Sequence, residues 1–406
     1  MVLRTHPMPE SASKSAWTRV TFGDLVRQVR DRVDPENTDL ERYVAGEHMD
    51  TDDLRIRRWG FIGDGYLGPA FHMRFKPGHV LYGSRRTYLR KVAVADFEGI
   101  TANTTFVIES KNPKALLPDL LPFIMQTESF HEHSIKQSKG SVNPYINFSD
   151  LTWYEFSLPP LEEQHRMVAA LKAADTVFVQ LGHLRDAIAR ALNSHAKSVF
   201  SRPEWSERFL GELLEYASDG PFGSKIKTEH YSNAGARVIR LNNIDVNRFN
   251  DEDKAFLAMD YFTSSLKGYE VRPGDVVVAG LGDESIPAGR ACVVPDHIGP
   301  AVNKADCFCL RPGPEIMPRF LAFFLNSPRG LSQSAAFSQG TTRSRLNLGN
   351  IRRMTLPVPS VTAQQEIASQ LGALLQAAER AAARQQRAAM MRTALLGDLL
   401  EGNSVL

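Results

Sequence analysis

Apolar positions along this chain follow two rhythms. From Leu161 to Phe200 there is no proline and one glycine. Within that stretch Val168, Leu171, Ala174, Phe178, Leu181, Leu184, Ile188, Leu192 and Val199 recur mostly at steps of three and four. Such spacing lays one apolar stripe along a helix. From Val361 to Leu400 the pattern returns with Ile367, Leu371, Leu374, Ala378, Ala381, Ala388, Leu395 and Leu399, in a stretch whose Ala, Arg and Gln favour helix. Pro159-Pro160 and Pro357-x-Pro359 stand just before the two starts, where proline is tolerated. Each helix would run about 40 residues, roughly 60 Å at 1.5 Å per residue. That is too long for one side of a compact globule, so each stripe needs a partner, and the other helix is one of equal length.

The second rhythm is β-like. Short apolar runs such as Val80-Leu81-Tyr82, Lys91-Val92-Ala93-Val94, Thr105-Phe106-Val107-Ile108, Asp275-Val276-Val277-Val278-Ala279 and Arg290-Ala291-Cys292-Val293-Val294 are bounded by the turn signals Pro77-Gly78, Pro273-Gly274 and Gly63-Asp64-Gly65. Helical stretches are predicted at 117–132 and 317–336. Together these predict mixed α/β (α+β) globules.

The whole pattern occurs twice. Phe22-Gly23-Asp24-Leu25 matches Leu210-Gly211-Glu212-Leu213, and Lys76-Pro77-Gly78-His79-Val80 matches Arg272-Pro273-Gly274-Asp275-Val276. Ile100-Thr101-Ala102-Asn103 matches Pro300-Ala301-Val302-Asn303, Ser138-Lys139-Gly140 matches Ser338-Gln339-Gly340, and Asn147 to Leu151 matches Asn347 to Ile351. Leu158-Pro159 then matches Val358-Pro359, and Gln164 matches Gln364. The offset grows from 188 to 196 to 200, as small loop insertions would produce. The expected division is a disordered leader at 1–16, a globule at 17–157, a long helix at 158–203, a second globule at 204–356 and a second long helix at 357–406. If the helices pair antiparallel, two non-identical heads are held apart on a rod with pseudo-twofold symmetry, which is a ruler.

Composition narrows this picture. The chain has 406 residues, and 48 Lys+Arg against 46 Asp+Glu leave a net charge of only +2. Any basic footprint must therefore be local. The three cysteines, Cys292, Cys307 and Cys309, form no C-x-x-C pair, which argues against a disulfide scaffold and for a reducing cytoplasm. No apolar run reaches the roughly 20 residues of a membrane helix.

Local clustering does occur. Residues 54–91 carry nine basic residues (Arg55, Arg57, Arg58, Arg74, Lys76, Arg85, Arg86, Arg90 and Lys91) against one acid, Asp64, with Trp59, Phe61, Tyr66, Tyr82 and Tyr88 among the interleaved aromatics. Such a surface suits phosphates and guanine edges; a solvated basic face over buried aromatics fits equally well. Lys136, Lys139 and Ser141 lead into Asn143-Pro144-Tyr145, a second candidate contact element. Asn143-Pro144-Tyr145 also resembles the Asn-Pro-Pro-Tyr signature of amino-methyltransferases, but it lacks the second proline and reads better as a turn. In the second globule the candidates are Gly223-Ser224-Lys225-Ile226-Lys227, Arg240, and the run from Gln339 through Thr341-Thr342 to Arg343 and Arg345; Asn242-Asn243 reads as an ordinary turn. No Gly-x-x-x-x-Gly-Lys loop is present. His131 and His133 are two apart on an expected helix, where they cannot share a face, so no catalytic or metal residue is assigned.

These features together resemble the specificity (S) subunits of type I restriction–modification systems. The resemblance rests on the two half-repeats, on Leu158-Pro159-Pro160-Leu161-Glu162-Glu163-Gln164 and its echo Leu356-Pro357-Val358-Pro359 with Gln364-Gln365-Glu366-Ile367, and on the Lys-Pro-Gly and Arg-Pro-Gly strand motifs. It implies that each globule is a target-recognition domain reading one half of a split, asymmetric site on double-stranded DNA. It also implies that the long helices set the spacing and dock two methyltransferase subunits. The chain itself would be non-catalytic and bind no cofactor, while the complex would use S-adenosylmethionine, and ATP and Mg with restriction/translocase subunits, in the cytoplasm for host defence. Thr362-Ala363 replaces the acidic pair Glu162-Glu163 at the second helix start, a departure from an exact repeat. A non-enzymatic scaffold, with two protein-binding heads on a helical rod, is the alternative.

Overall fold

The computed structural model describes residues 16–221, 225–283, 285–340 and 343–401. The expected leader at 1–16 therefore lies almost wholly outside the described residues. The chain forms two compact units: one runs to Gln180 and takes in the residues from Arg384 on, and the other is Leu181–Ala383. No helix among the described residues is long and apolar enough to cross a membrane.

Two four-stranded sheets build the first unit. One has the order Val26–Val29, Thr105–Ser110, Val80–Gly83, Val92–Val94; the other is Gly60–Phe61, Arg42–Val44, Gly99–Ala102, Phe71–Phe75. Neighbours are antiparallel except Arg42–Val44 and Gly99–Ala102, which run parallel. The continuous apolar runs are explained by burial on both faces of the first sheet. Val80, Tyr82, Phe106 and Ile108 join a core with Phe22, Leu121 and Phe130. The alternate residues Leu81, Val107 and Ala93 join a second core with Val44, Met73 and Phe75.

The second unit repeats the device. Val276, Val278, Phe308 and Leu310 face a core containing Phe320, Leu321 and Phe324. Val277, Ala279, Cys307 and Cys309 face the other side. The three cysteines are thus free, buried core residues, and burial raises the thiols of Cys292, Cys307 and Cys309 well above their ordinary pKa.

Repetition extends to single hydrogen bonds. Gln164, buried at the start of the first long helix, accepts from Leu117 N–H at 2.9 Å and donates to Ala115 O at 2.8 Å and Pro159 O at 2.9 Å. Gln364 accepts from Met317 N–H at 2.8 Å and donates to Glu315 O at 2.8 Å and Pro359 O at 3.0 Å. The Pro-Gly turns match as well: Gly78 (φ 87) and Gly274 (φ 85) adopt the left-handed conformation that glycine reaches at no steric cost. A two-stranded antiparallel sheet pairs Thr18–Thr21 with Glu155–Leu158 in one unit, and Ser206–Phe209 with Thr355–Val358 in the other.

The long helices are Leu161–Val199 (39 residues) and Val361–Leu396 (36 residues). Each begins in one unit and ends in the other. In the first unit Met167, Val168 and Leu171 enter the core, with Leu395, Leu396 and Leu399 of the second helix's end packed against the same cluster. In the second unit Ala196, Val199 and Phe200 share a core with Ile367, Ala368 and Leu371. So within each unit the start of one helix meets the end of the other. The stripe is not buried throughout, since Leu184 is 46% exposed.

Two expected helices are broken. In place of a helix at 117–132 there are Leu121–Ile124 and Glu128–Lys136; in place of one at 317–336 there are Pro318–Leu325 and Pro328–Phe337. The breaks fall at N-caps: Thr127 Oγ1 accepts from Phe130 N–H, and Ser327 Oγ accepts from Gly330 N–H. Apolar periodicity continues through such a break, which is why it escapes a pattern reading.

Candidate nucleic-acid interface

Folding supplies carboxylates that the local sequence window lacks. Arg57 pairs with Asp53 (2.8 Å) and Arg58 with Asp50 (2.5 Å). Arg55 contacts Asp53 and Asp175, Arg74 pairs with Glu98, and Arg90 pairs with Glu128 (2.5 Å). All of these acids lie outside residues 54–91. Five of the nine cations are thereby matched. Tyr66, 83% exposed, stands elsewhere, lining a separate cavity with Gly63, Gly65 and Phe71.

The arginines of the Gly83–Tyr88 loop differ. Arg85 and Arg86 are exposed and have no carboxylate partner among the described residues. The guanidinium carbon of Arg85 lies 4.7 Å from the centre of the Tyr145 ring, a cation–π arrangement. The Arg86 N–H donates to Pro144 O at 2.6 Å, and Ile146 N–H donates to Ser84 O at 3.0 Å, so this loop is zipped to the loop at 138–146. The second loop is closed by Lys139 and Tyr145, which exchange backbone bonds of 2.7 and 2.9 Å, while Lys139 Nζ is held by Asp150 at 2.8 Å. Ser141 is exposed at its tip, Lys136 on the preceding helix, and Tyr88 at the end of the first loop. Between the loops lies a cleft of about 540 Å³ lined by Arg85, Arg86, Lys91, Glu47, Val142 and Asn143, among others.

Neither Lys91, one charge among nine in the basic window, nor Glu47, outside that window, stands out in the sequence as a site residue. Lys91 Nζ donates to Gly46 O; burial and the nearby Arg86 hold its pKa below the ordinary lysine range. Arg290 does the equivalent in the second unit. Its guanidinium donates to the carbonyls of Ile244 (2.8 Å), Leu281 (2.9 Å), Pro287 (3.2 Å) and Leu241 (3.3 Å). Both cations immediately precede an apolar strand, Val92–Val94 and Ala291–Val293. That shared repeat position is the signal that could have found them.

In the second unit the sequence candidates stand apart from one another in their contacts. Lys225 Nζ donates to Tyr269 Oη at 2.9 Å, and Lys227 meets Glu229 at 3.7 Å. Arg240 pairs with Asp253. Arg345 pairs with Asp306 at 2.7 Å, and Leu281 pairs with it across strands as Arg85 pairs with Tyr145. Arg343 is exposed with no ion pair among the described residues. Gly223, Ser224, Thr341 and Thr342 lie outside the described residues. Asn243 is buried and caps its turn, its amide donating to Asn250 O and Asp253 O at 2.8 Å each, whereas Asn242 is exposed.

The family model for the type I restriction modification DNA specificity domain matches residues 63–186 and 203–386. The chain belongs to this family. The two matched stretches fall on the two repeats, one in each half of the chain. Among curated relatives, the type I restriction enzyme EcoDI specificity subunit of Escherichia coli is 25% identical over 254 residues, 58% of this chain and 53% of that protein. The chain thus aligns with about half the length of that relative. The MjaVIII specificity subunit of Methanocaldococcus jannaschii is 22% identical over 293 residues, 68% of this chain and 67% of that protein. Of solved structures, the type I restriction–modification S subunit of M. genitalium superposes with a TM-score of 0.58 at 16% identity, over 95% of this chain and 96% of that one. A chain from a structure described for complex assembly and conformational transition of a type I restriction–modification system gives 0.60 at 18% identity, over 95% and 97%. These likenesses show the specificity-subunit fold: mixed α/β, two recognition-domain repeats, two long helices.

Proposed function

We propose that the chain is the sequence-specific DNA-recognition subunit of a type I restriction–modification complex, reading a bipartite asymmetric site with one unit on each half-site. The observation that carries this is the coincidence of a DNA specificity domain match on both repeats with two exposed, carboxylate-free arginines beside the cleft of the first unit. Fixed local cations of this kind neutralise phosphates and read base edges, whatever the net charge of the chain. On this reading the chain supplies address and no chemistry. The long helices set the spacing between half-sites and dock two methyltransferase subunits. The complex methylates adenine with S-adenosylmethionine in the cytoplasm, and restriction/translocase subunits add ATP- and Mg-dependent cleavage.

The test is fluorescence anisotropy of the full chain on genomic duplex fragments at rising salt. Six or more phosphate contacts should lower affinity by about 10³-fold between roughly 50 and 200 mM salt. Affinity indifferent to salt would overturn the proposal in favour of a protein-binding scaffold.

A further inference from the structure

The cleft of the first unit holds two opposite charges that do not meet. Arg86 sits in the left-handed region (φ 49), a conformation that costs a side-chain-bearing residue energy and persists where the surroundings impose it. Those surroundings are its N–H bond to Pro144 O and the acceptance of Leu89 N–H by its carbonyl at 2.8 Å. Its guanidinium projects with no acceptor among the described residues.

Glu47 lies on the opposing turn Gly46–His48. That turn is pinned by Ala45 N–H donating to His48 Nδ1 at 3.1 Å and by Lys91 donating to Gly46 O. The Glu47 side chain is 79% exposed, and its ion-pair contact is the His48 ring at 3.9 Å. Burial holds the His48 pKa below the ordinary histidine value, so that ring is neutral near neutral pH. The Lys91 ammonium lies within electrostatic reach of Glu47 across the same cleft but is engaged with Gly46 O, which leaves the carboxylate oxygens free to accept.

A cleft built only for phosphate would not place a carboxylate on its wall. The major-groove edge of a G·C pair, however, offers two acceptors on guanine, O6 and N7, beside one donor on cytosine, N4. An arginine fork and a carboxylate are the chemical complements of those groups. We propose that Arg86 and Glu47 together read one G·C pair of the first half-site, Arg86 donating to guanine and Glu47 accepting from cytosine. This rests on the chain being a DNA-recognition subunit. The second unit cannot repeat it: the backbone pairing that aligns Arg85 with Leu281 puts Gly282 at the place of Arg86, and Asn242 follows Leu241 as Glu47 follows Gly46. The two halves therefore read different bases at this position, and the second half-site is an internal control.

The experiment selects duplexes from a randomised library with the full chain, comparing wild type with Arg86→Gln and Glu47→Gln, each checked for unchanged thermal unfolding. The expected result is a wild-type bipartite motif in which both variants lose about tenfold or more discrimination at one and the same G·C pair. Arg86→Gln should shift that position toward adenine, since glutamine matches adenine N6 and N7, and second half-site preferences should stay as in wild type. Variants that keep every wild-type preference, or that relax two different base pairs, overturn the proposal while leaving DNA recognition standing. A wild-type chain that selects no motif overturns both.

Discussion

The two units share one hydrogen-bonding scaffold but exchange the acidic and basic groups that fill it. At the Pro-Gly turn of the first unit, His79 Nδ1 accepts from Lys76 N–H at 3.1 Å, and the ring faces Glu109 at 3.5 Å. At the same turn of the second, Asp275 accepts from Arg272 N–H at 2.8 Å and pairs with Arg311 at 2.8 Å. The acid and base have changed places across one strand pair. What the fold requires there is an acceptor for the turn's N–H and a partner for that acceptor; an imidazole facing a carboxylate and a carboxylate facing a guanidinium both satisfy it. Backbone geometry is therefore constrained in both halves while side-chain charge is free to diverge. Lys91 and Arg290 keep the charge but differ in reach, one carbonyl against four. Divergence of this kind lets two copies of one scaffold present different chemistry.

The comparison can be broken most sharply at that pair. Asp275 is 2% exposed and accepts two bonds of 2.8 Å from Arg311. Asp275→Ala strands a half-buried guanidinium and should cost the second unit about 4 kcal/mol. His79→Ala at the equivalent site should cost the first unit only about 1 kcal/mol, since its partner Glu109 keeps access to water and to Arg27. Hydrogen exchange resolved by unit would measure both; equal losses would mean that the two sites are not equivalent in the way described.

Acid should separate the units next. His131 is 1% exposed, its ring nitrogens have no hydrogen bond, and Asp52 stands 3.8 Å from it. Burial, and then Arg90, push its pKa down to about 4, against a small opposing pull from Glu128. The unfolded chain thus binds this proton more readily than the folded one. Stability is complete above about pH 6.5 and declines as pH falls toward 4, by about 3 kcal/mol in total. The first unit should therefore open first on acidification, and His131→Phe should remove most of that decline. An unchanged pH profile in the variant would refute the assignment.

The smallest expected difference is between the two glutamines. Gln164→Ala and Gln364→Ala each leave one buried N–H and two carbonyls without their side-chain partner, and should cost about 2 kcal/mol, each in its own unit and nearly equally. Chemical denaturation followed by unit-resolved exchange would show a difference above about 1 kcal/mol if the clamps were not the same device.

Much of this was legible beforehand. The long helices begin within a residue or two of their Pro signals, and the repeat alone aligns Gln164 with Gln364, whose bonds match. The helix breaks at Thr127 and Ser327 were not, because capping competes with periodicity only once the chain has somewhere to turn. The candidate site was read least well. The basic window at 54–91 holds a single acid in sequence, yet Asp50, Asp53, Glu98, Glu128 and Asp175 neutralise most of it in space. Glu47, which stands on the cleft wall, sits outside that window.

By itself the sequence determined the duplication, the two helices and the doubly buried strands. Those follow from local propensity and from apolar periodicity, which act along the chain. Only the tertiary structure decided which cations remain unpaired and which carboxylate faces them. Coulomb attraction acts over distances of a few ångströms in space, and residues as far apart as Arg55 and Asp175 become neighbours only after folding.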